Sequence, residues 1–449
     1  MSFPELIIIG LDSFSPLLAF DKLKEQMPFL NSMCKKGMCA PMRSTDPPIT
    51  SPAWISMTSG KRPEELGIYG FNVENKNSRL PHIVNSNSVN TKRIWDYAAD
   101  INKKSVVVSV PVTYPPVENP NITMVSGFLT PSIDCDYVNP KDLKGELNVL
   151  FGDYIIDVDN FRSENKDQIL SDLRAYTSQH FDIFRYLIEK ESPHFAMITD
   201  LGPDRFHHSM LSSIHPNHKS YKLKKEALQY YSLLDEEIKK TCDLAGPDTL
   251  VMVVSDHGVK PLLGAVGANE ILIEEGLLVL NDSYPQNATP LSQLNINWSK
   301  SAAFARGGYA GRIFLNLKSR FSDGSVSKKR APVILDKIRQ LFNESLDNNG
   351  VTFKNELFTP QELYTSKYLG IPPDLTIYFG NLDYRCAGTV GHGTHFLETN
   401  DNGPDDANHD FEGIFVIGNT GVIDAKDILS KKLLHITDIF KLAQKKLGF

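Results

Sequence analysis

Five groups of residues have the types and spacing for metal-assisted chemistry on a phosphate-like group. Thr50 stands in Pro47-Pro48-Ile49-Thr50-Ser51-Pro52-Ala53-Trp54. A hydroxyl residue followed shortly by proline reads as a helix start, with the hydroxyl at or near the N-cap and proline in the first turn. The free N–H groups and positive dipole end there favour a phosphate. A hydroxyl at that place, coordinated to a metal, loses its proton more easily and becomes a usable nucleophile. Asp204 and His208 are four apart, so on a helix both reach one ion from one face. Asp256 and His257 are adjacent and point to different sides. Asp12 follows an apolar run directly, and Asn408-His409-Asp410 adds a further polar group. Mixed carboxylate and imidazole ligands suit Zn²⁺ or Mn²⁺.

Singly, each feature has an ordinary explanation. An aspartate at a strand end caps a turn, Thr-Ser-Pro-Ala is a common N-cap, and an Asp/His pair at helical spacing usually faces solvent. Together, and in this order beside strands, they point to one site.

The elements that must position them are short apolar runs: Leu6–Leu11, Val106–Val110, Phe195–Ile198, Leu250–Val254, Leu375–Phe379 and Gly413–Ile417. Runs that are apolar on both faces suit parallel strands covered by helices on both sides. Helical periodicity fills the intervals at 166–190 and 221–245. The alternation predicts a doubly wound α/β fold with a mostly parallel central sheet. In such a sheet ligands bind outside the carboxyl ends of the strands, where Asp12, Asp204 and Asp256 fall. Residues 260–365 lack the rhythm and read as an inserted cap. Residues 1–259 and 366–449 then form the catalytic core.

The formal net charge is −7, which disfavours a nucleic-acid polymer as partner. A small phosphate ester held by metals needs no basic surface. Five widely spaced cysteines form no CxxC pair and read as reduced thiols. The N-terminal apolar run lacks a basic leader, and no stretch approaches the ~18 residues of a membrane span. A cytoplasmic protein is expected, and the five N-x-S/T sequons read as chance.

The ordered set Asp12, Thr50, Asp204-x-x-x-His208, Ser255-Asp256-His257-Gly258 and His409 resembles the alkaline phosphatase superfamily. More narrowly, it is similar to the type I phosphodiesterase/nucleotide pyrophosphatase branch and its prokaryotic relatives. Thr58-Ser59-Gly60 with Pro63, and Gly403-Pro404-Asp405-Asp406-Ala407-Asn408-His409, support it. The resemblance implies two divalent ions, usually zinc. Asp204, His208 and His409 would hold one; Asp12, Asp256 and His257 the other, with Thr50 between them. Thr50 would attack phosphorus and form a covalent phospho-enzyme. His392 and His395 compete with His409, and His207 with His208. His409 is preferred because it stands four residues before Gly413-Ile414-Phe415, and His208 because its position four after Asp204 matches the family. Leu66-Gly67-Ile68 stands where relatives often have His-Gly-Ile. Asn72 is displaced by one position from the asparagine that holds a phosphate oxygen. Arg306 and Tyr309 are further candidates for substrate contact.

The implied activity is hydrolysis of a phosphodiester or pyrophosphate bond in a nucleotide-like substrate. A phosphomonoesterase or phosphomutase of the same superfamily is the alternative, and a non-catalytic metal-stabilised binding protein a third reading. A sulfatase is disfavoured, because Thr50 and Ala53-Trp54 do not fit the C/S-x-P-x-R pattern.

Overall fold

A computed structural model describes residues 3–345, 352–364 and 367–449. Its centre is set by β1 (Leu6–Leu11), whose six residues LIIIGL are all buried. The other strands of its sheet are β2 (Met38–Arg43), β3 (Ser105–Val108), β4 (Ile122–Val125), β5 (Val138–Asn139), β6 (Phe195–Asp200), β7 (Leu250–Val254), β8 (Glu412–Ile417) and β9 (Leu434–His435). Their spatial order is β9-β2-β8-β7-β1-β6-β3-β4-β5. Pairing is parallel from β7 through β1, β6 and β3 to β4. β8 runs antiparallel to both its neighbours, β2 and β7. The run at Gly413–Ile417 is therefore a sheet strand, as its composition predicts, but in the opposite direction to the parallel set.

Seven helices matter for the site: α1 (Pro28–Lys36), α2 (Thr50–Ser59), α3 (Ile94–Asp100), α4 (Lys166–Glu191), α5 (Gly202–Met210), α6 (Lys225–Cys242) and α7 (Asp438–Leu447). Trp54 and Met57 of α2, Trp95 of α3 and Leu442 of α7 share one apolar cluster with Leu6 and Ile8 of β1. Alternation along β1 turns Ile7 and Ile9 to the opposite face, where they are equally buried. α4, which packs on β3 and β6 and against α6, lies on this sheet too.

The chain divides into two compact units. The first comprises Met1–Leu66, Val84–Val259 and His409–Phe449; the second, Gly67–Ile83 with Lys260–Asn408. The second unit has its own four-stranded sheet, in the order Ala303–Arg306, Gly311–Leu315, Leu375–Tyr378, Glu356–Phe358, antiparallel throughout. The helix Ala331–Asn343 turns Ile334, Ile338 and Phe342 inward to the core of this unit. The apolar run at Leu375 thus belongs here and not to the central sheet. A strand buried on both faces has the same composition in either setting, so its sequence does not reveal its partners. The boundary expected at 365/366 lies outside the described residues, and the second unit continues to Asn408.

Candidate active site

Register explains why distant residues converge. Leu11 of β1 pairs with Asp200 of β6, and Gly10 with Val254 of β7. The residues that follow these three parallel strands therefore leave the sheet at one edge. β8 is antiparallel, and its Phe415 pairs with Val254. Its entry, not its exit, lies at that edge, which brings His409 there from just before the strand.

Each side chain is aimed by local structure. Ser13 adopts a left-handed conformation, φ 65°, and its N–H donates to Asp256 Oδ1 at 3.2 Å. That bond ties the end of β1 to the end of β7. Asp204 and His208 project from α5, whose first turn contains Pro203. Their approach is 3.3 Å between Oδ1 and Nε2, and His409 Nε2 lies 3.7 Å from the same oxygen. Thr50 is the first residue of the fully buried helix α2 and is 3% exposed. Its Oγ1 lies 3.3 Å from His257 Nε2. The same nitrogen is 3.5 Å from Asp12 Oδ1 and 3.2 Å from Asp256 Oδ2.

The imidazole tautomers follow from backbone contacts. His257 Nδ1 is 2.9 Å from Gly258 O, and His409 Nδ1 is 2.8 Å from Pro48 O. A carbonyl can only accept, so both Nδ1 atoms carry the proton and both Nε2 atoms present lone pairs. Burial pushes His257 down to about 4 and holds His409 well below the ordinary imidazole range, so neither ring is a cation at neutral pH. Asp12 Oδ1, Asp204 Oδ1 and Asp256 Oδ2 are buried and accept no hydrogen bond among the described residues. Lone pairs of nitrogen and oxygen therefore face one another in a water-poor space. Such an arrangement is repulsive by itself and is satisfied by cations.

Two sets of ligand atoms each lie within 4.8 Å of one another: Asp204, His208 and His409, and Asp12, Asp204 and His257. The donor chemistry fits divalent metals that take nitrogen and carboxylate oxygen. Asp204 belongs to both sets, whereas the resemblance assigns it to one ion.

The electrostatics agree. Burial, then the neighbouring Asp204, pushes Asp12 well above the usual carboxylate range; burial, then Asp12, does the same to Asp256. Burial pushes Asp204 upward too, but His208 and Arg205 outweigh it and hold its carboxyl well below that range.

Supporting residues went unassigned in the sequence. Trp54 Nε1 donates to Asp12 Oδ2 at 2.7 Å. The signal was its place one turn after Thr50, which puts both on one helix face. Arg205 Nη1 donates to Asp204 Oδ2 at 2.8 Å, while its Nε and Nη2 clamp Asp157 at 2.7 Å each. His207 does not join: its Nε2 meets Tyr231 Oη at 2.9 Å and its ring stacks on Phe14.

Five other candidates lie in the second unit. His392 Nε2 meets Thr389 Oγ1 at 2.7 Å, and His395 Nε2 pairs with Glu274 at 2.5 Å. Asn72 starts a two-residue strand paired with His82–Ile83. Arg306 bonds Glu74 through Nε and Nη2, at 3.1 and 3.3 Å. The Tyr309 ring is buried under the Arg385 guanidinium, 4.5 Å from its centroid, and meets Phe71 edge-on.

Comparison with known proteins agrees with this architecture. A family model described as type I phosphodiesterase / nucleotide pyrophosphatase matches residues 6–405. Among solved structures, phosphonoacetate hydrolase from Sinorhizobium meliloti 1021 is similar at 13% identity and a TM-score of 0.61, over 99% of this chain and 96% of that one. Human ectonucleotide pyrophosphatase / phosphodiesterase 5 is similar at 12% identity and a TM-score of 0.58, over 99% and 95%. Its murine counterpart, in an inactive form in complex with AMP, is similar at 11% and 0.57, over 100% and 96%. No curated protein sequence matches. The chain belongs to the type I phosphodiesterase/nucleotide pyrophosphatase family, within the alkaline phosphatase superfamily. It is a metal-dependent hydrolase of that family. Among the described residues no helix is long and apolar enough to cross a membrane.

Proposed function

We propose that the protein cleaves a phosphodiester or pyrophosphate bond in a small nucleotide-like substrate, with Thr50 as nucleophile and two divalent ions, zinc by preference or manganese. The observation that carries this reading is the Thr50 hydroxyl at the start of a buried helix, 3.3 Å from His257 Nε2 in the ring of carboxylates and imidazoles. One ion is assigned to Asp204, His208 and His409. The other is assigned to Asp12, Asp256, His257 and Thr50. When bound, such ions supply Lewis acidity that lowers the pKa of the threonine hydroxyl and neutralises charge on the phosphorus oxygens.

The protein's own residues do the remaining work. The start of α2 directs its free N–H groups and dipole at the incoming anion. Trp54 and Arg205 fix one oxygen each of Asp12 and Asp204, which leaves the other oxygen facing the site. Thr50 Oγ1 attacks phosphorus, the P–O bond to the leaving group breaks, and the leaving oxygen takes up a proton in place of the one the hydroxyl lost; the phosphorus, still carrying its other substituent, is now esterified to Thr50. Water then attacks phosphorus, the Thr50 Oγ1–P bond breaks, and the product leaves as the phosphate of that substituent. AMP bound to the murine neighbour, and the phosphorus chemistry named for the bacterial one, support a phosphorus-centred substrate.

The test loads purified protein with Zn²⁺ or Mn²⁺ and compares a chromogenic phosphodiester with a monoester, with Thr50→Ala alongside. Diester cleavage that falls by a factor of about 10⁴ or more in the variant is expected of a lost nucleophile. Equal rates in both proteins would remove Thr50 from the mechanism. A strong monoester preference would transfer the assignment to a phosphomonoesterase.

A further inference from the structure

A cavity of about 640 Å³ lies wholly within the second unit, in the size range of small-ligand sites. Leu291, Leu294, Trp298 and Phe304 line its apolar part; Arg306 and Gly308 line its polar part. Carboxylates and guanidinium groups both surround it, so hydrogen-bonding capacity decides what it accepts.

The nearby carboxylates are already engaged. Glu74 takes Arg306 through both oxygens. Asp323 takes Arg79 at 2.7 Å. Asp401 Oδ2 accepts from the backbone N–H of Gly388 and Thr389 and from Thr389 Oγ1.

The guanidinium groups keep spare donors. Arg306 uses only Nε and Nη2, and Nη1 has no acceptor among the described residues. Arg312 is 8% exposed, and its guanidinium makes one hydrogen bond among the described residues, from Nη2 to Gly307 O at 3.0 Å. Its Nε is buried without a partner among them, and Nη2 lies 3.9 Å from where a side chain on Gly308 would begin. Arg79 Nε is likewise buried without an acceptor among the described residues.

We propose that this cavity binds an amphipathic oxyanion, with a carboxylate-type head on the spare N–H groups at Arg306 and its apolar body against Leu291, Leu294 and Trp298. The site is independent of the catalytic reading. Nη1 of a guanidinium carries two N–H groups, and a bond from either to a carboxylate oxygen is charge-assisted.

Trp298 serves as the reporter, because the other two tryptophans, Trp54 and Trp95, are fully buried in the first unit. The whole protein is titrated with decanoate, decan-1-ol and decyltrimethylammonium while tryptophan fluorescence is followed. Expected are a saturable response to decanoate, at least tenfold weaker binding of the alcohol, and weaker binding still of the cation. Arg306→Gln removes that preference. Because it also strands Glu74, a second variant is needed: Leu294→Asp leaves the Arg306–Glu74 pair intact and weakens decanoate at least tenfold. No saturable response in the wild type, equal binding of decanoate and the cation, or unchanged decanoate binding in Leu294→Asp would each overturn the proposal.

Discussion

Trp54→Phe separates packing from metal positioning in one side chain. The indole ring sits in the first unit's core, and its N–H donates to Asp12 Oδ2 at 2.7 Å. Phenylalanine keeps a ring and removes the donor. A hydrogen bond to a charged group contributes about 1.5–3 kcal/mol. At about 1.4 kcal/mol for each tenfold, that is roughly 10–100-fold in metal dissociation constant, the range found when a residue behind a metal ligand is lost. The smaller ring also leaves a void, which costs on the order of 1–2 kcal/mol. The two effects appear in different experiments. The void lowers the Tm of the metal-free protein. The lost donor raises the Kd for Zn²⁺ or Mn²⁺ in a calorimetric titration run well below that Tm. A variant whose Tm falls while its metal affinity stays unchanged would show that the indole only packs, and the positioning argument would be wrong.

Three further outcomes follow from the same geometry. A side chain on Gly10 would start 2.4 Å from the Trp54 ring and 3.0 Å from Thr199 Oγ1; Gly10→Ala should cost about 1–3 kcal/mol by overpacking and weaken metal binding as the indole shifts, both read in the same two assays. Asp12 and Asp256 are raised well above the usual carboxylate range without metal, so metal binding should expel protons and tighten as pH rises; calorimetry in two buffers of different ionisation enthalpy should show net proton release, and zero release would contradict the raised values. Burial pushes Asp200 up to about 7, although hydrogen bonds from Gly202 N–H and Thr177 act to lower it. A raised folded-state pKa gives stability that is complete below the usual carboxylate range and is lost as pH rises toward 7. Tm should therefore fall over that interval, and less steeply in Asp200→Asn.

The candidate ligands were legible because Asp12 and Asp256-His257 stand within three residues of the end of an apolar run and Asp204 lies on the helix that follows another. A strand end needs no partner information to be recognised, so Asp12, Asp256-His257 and the Asp204 helix could be placed from sequence alone. The sheet neighbours could not. β2 reads MCAPMR, with a proline and an arginine where a buried strand would show branched apolar residues, and β5 is two residues long. Residues 67–83 carry too few apolar positions to reveal that they belong with residues 260–408. The roles of Trp54 and Arg205 depend on approach distances between segments far apart in the chain. No local pattern encodes those distances.

The position of β8 bears on how the protein is made. It fits between β2 and β7, yet it is synthesised more than 150 residues after β7 ends. Until residues 412–417 leave the ribosome, the facing edges of β2 and β7 have no backbone partner, and unpaired edges invite pairing with other chains. His409 arrives on the same late segment. The first unit thus pairs β2 with β7 through β8 and gains His409 in one event, only after residues 260–408 of the second unit have been made. Nascent chains are expected to engage a chaperone until then, and the ion assigned to Asp204, His208 and His409 should not be held with its full set of three before that closure.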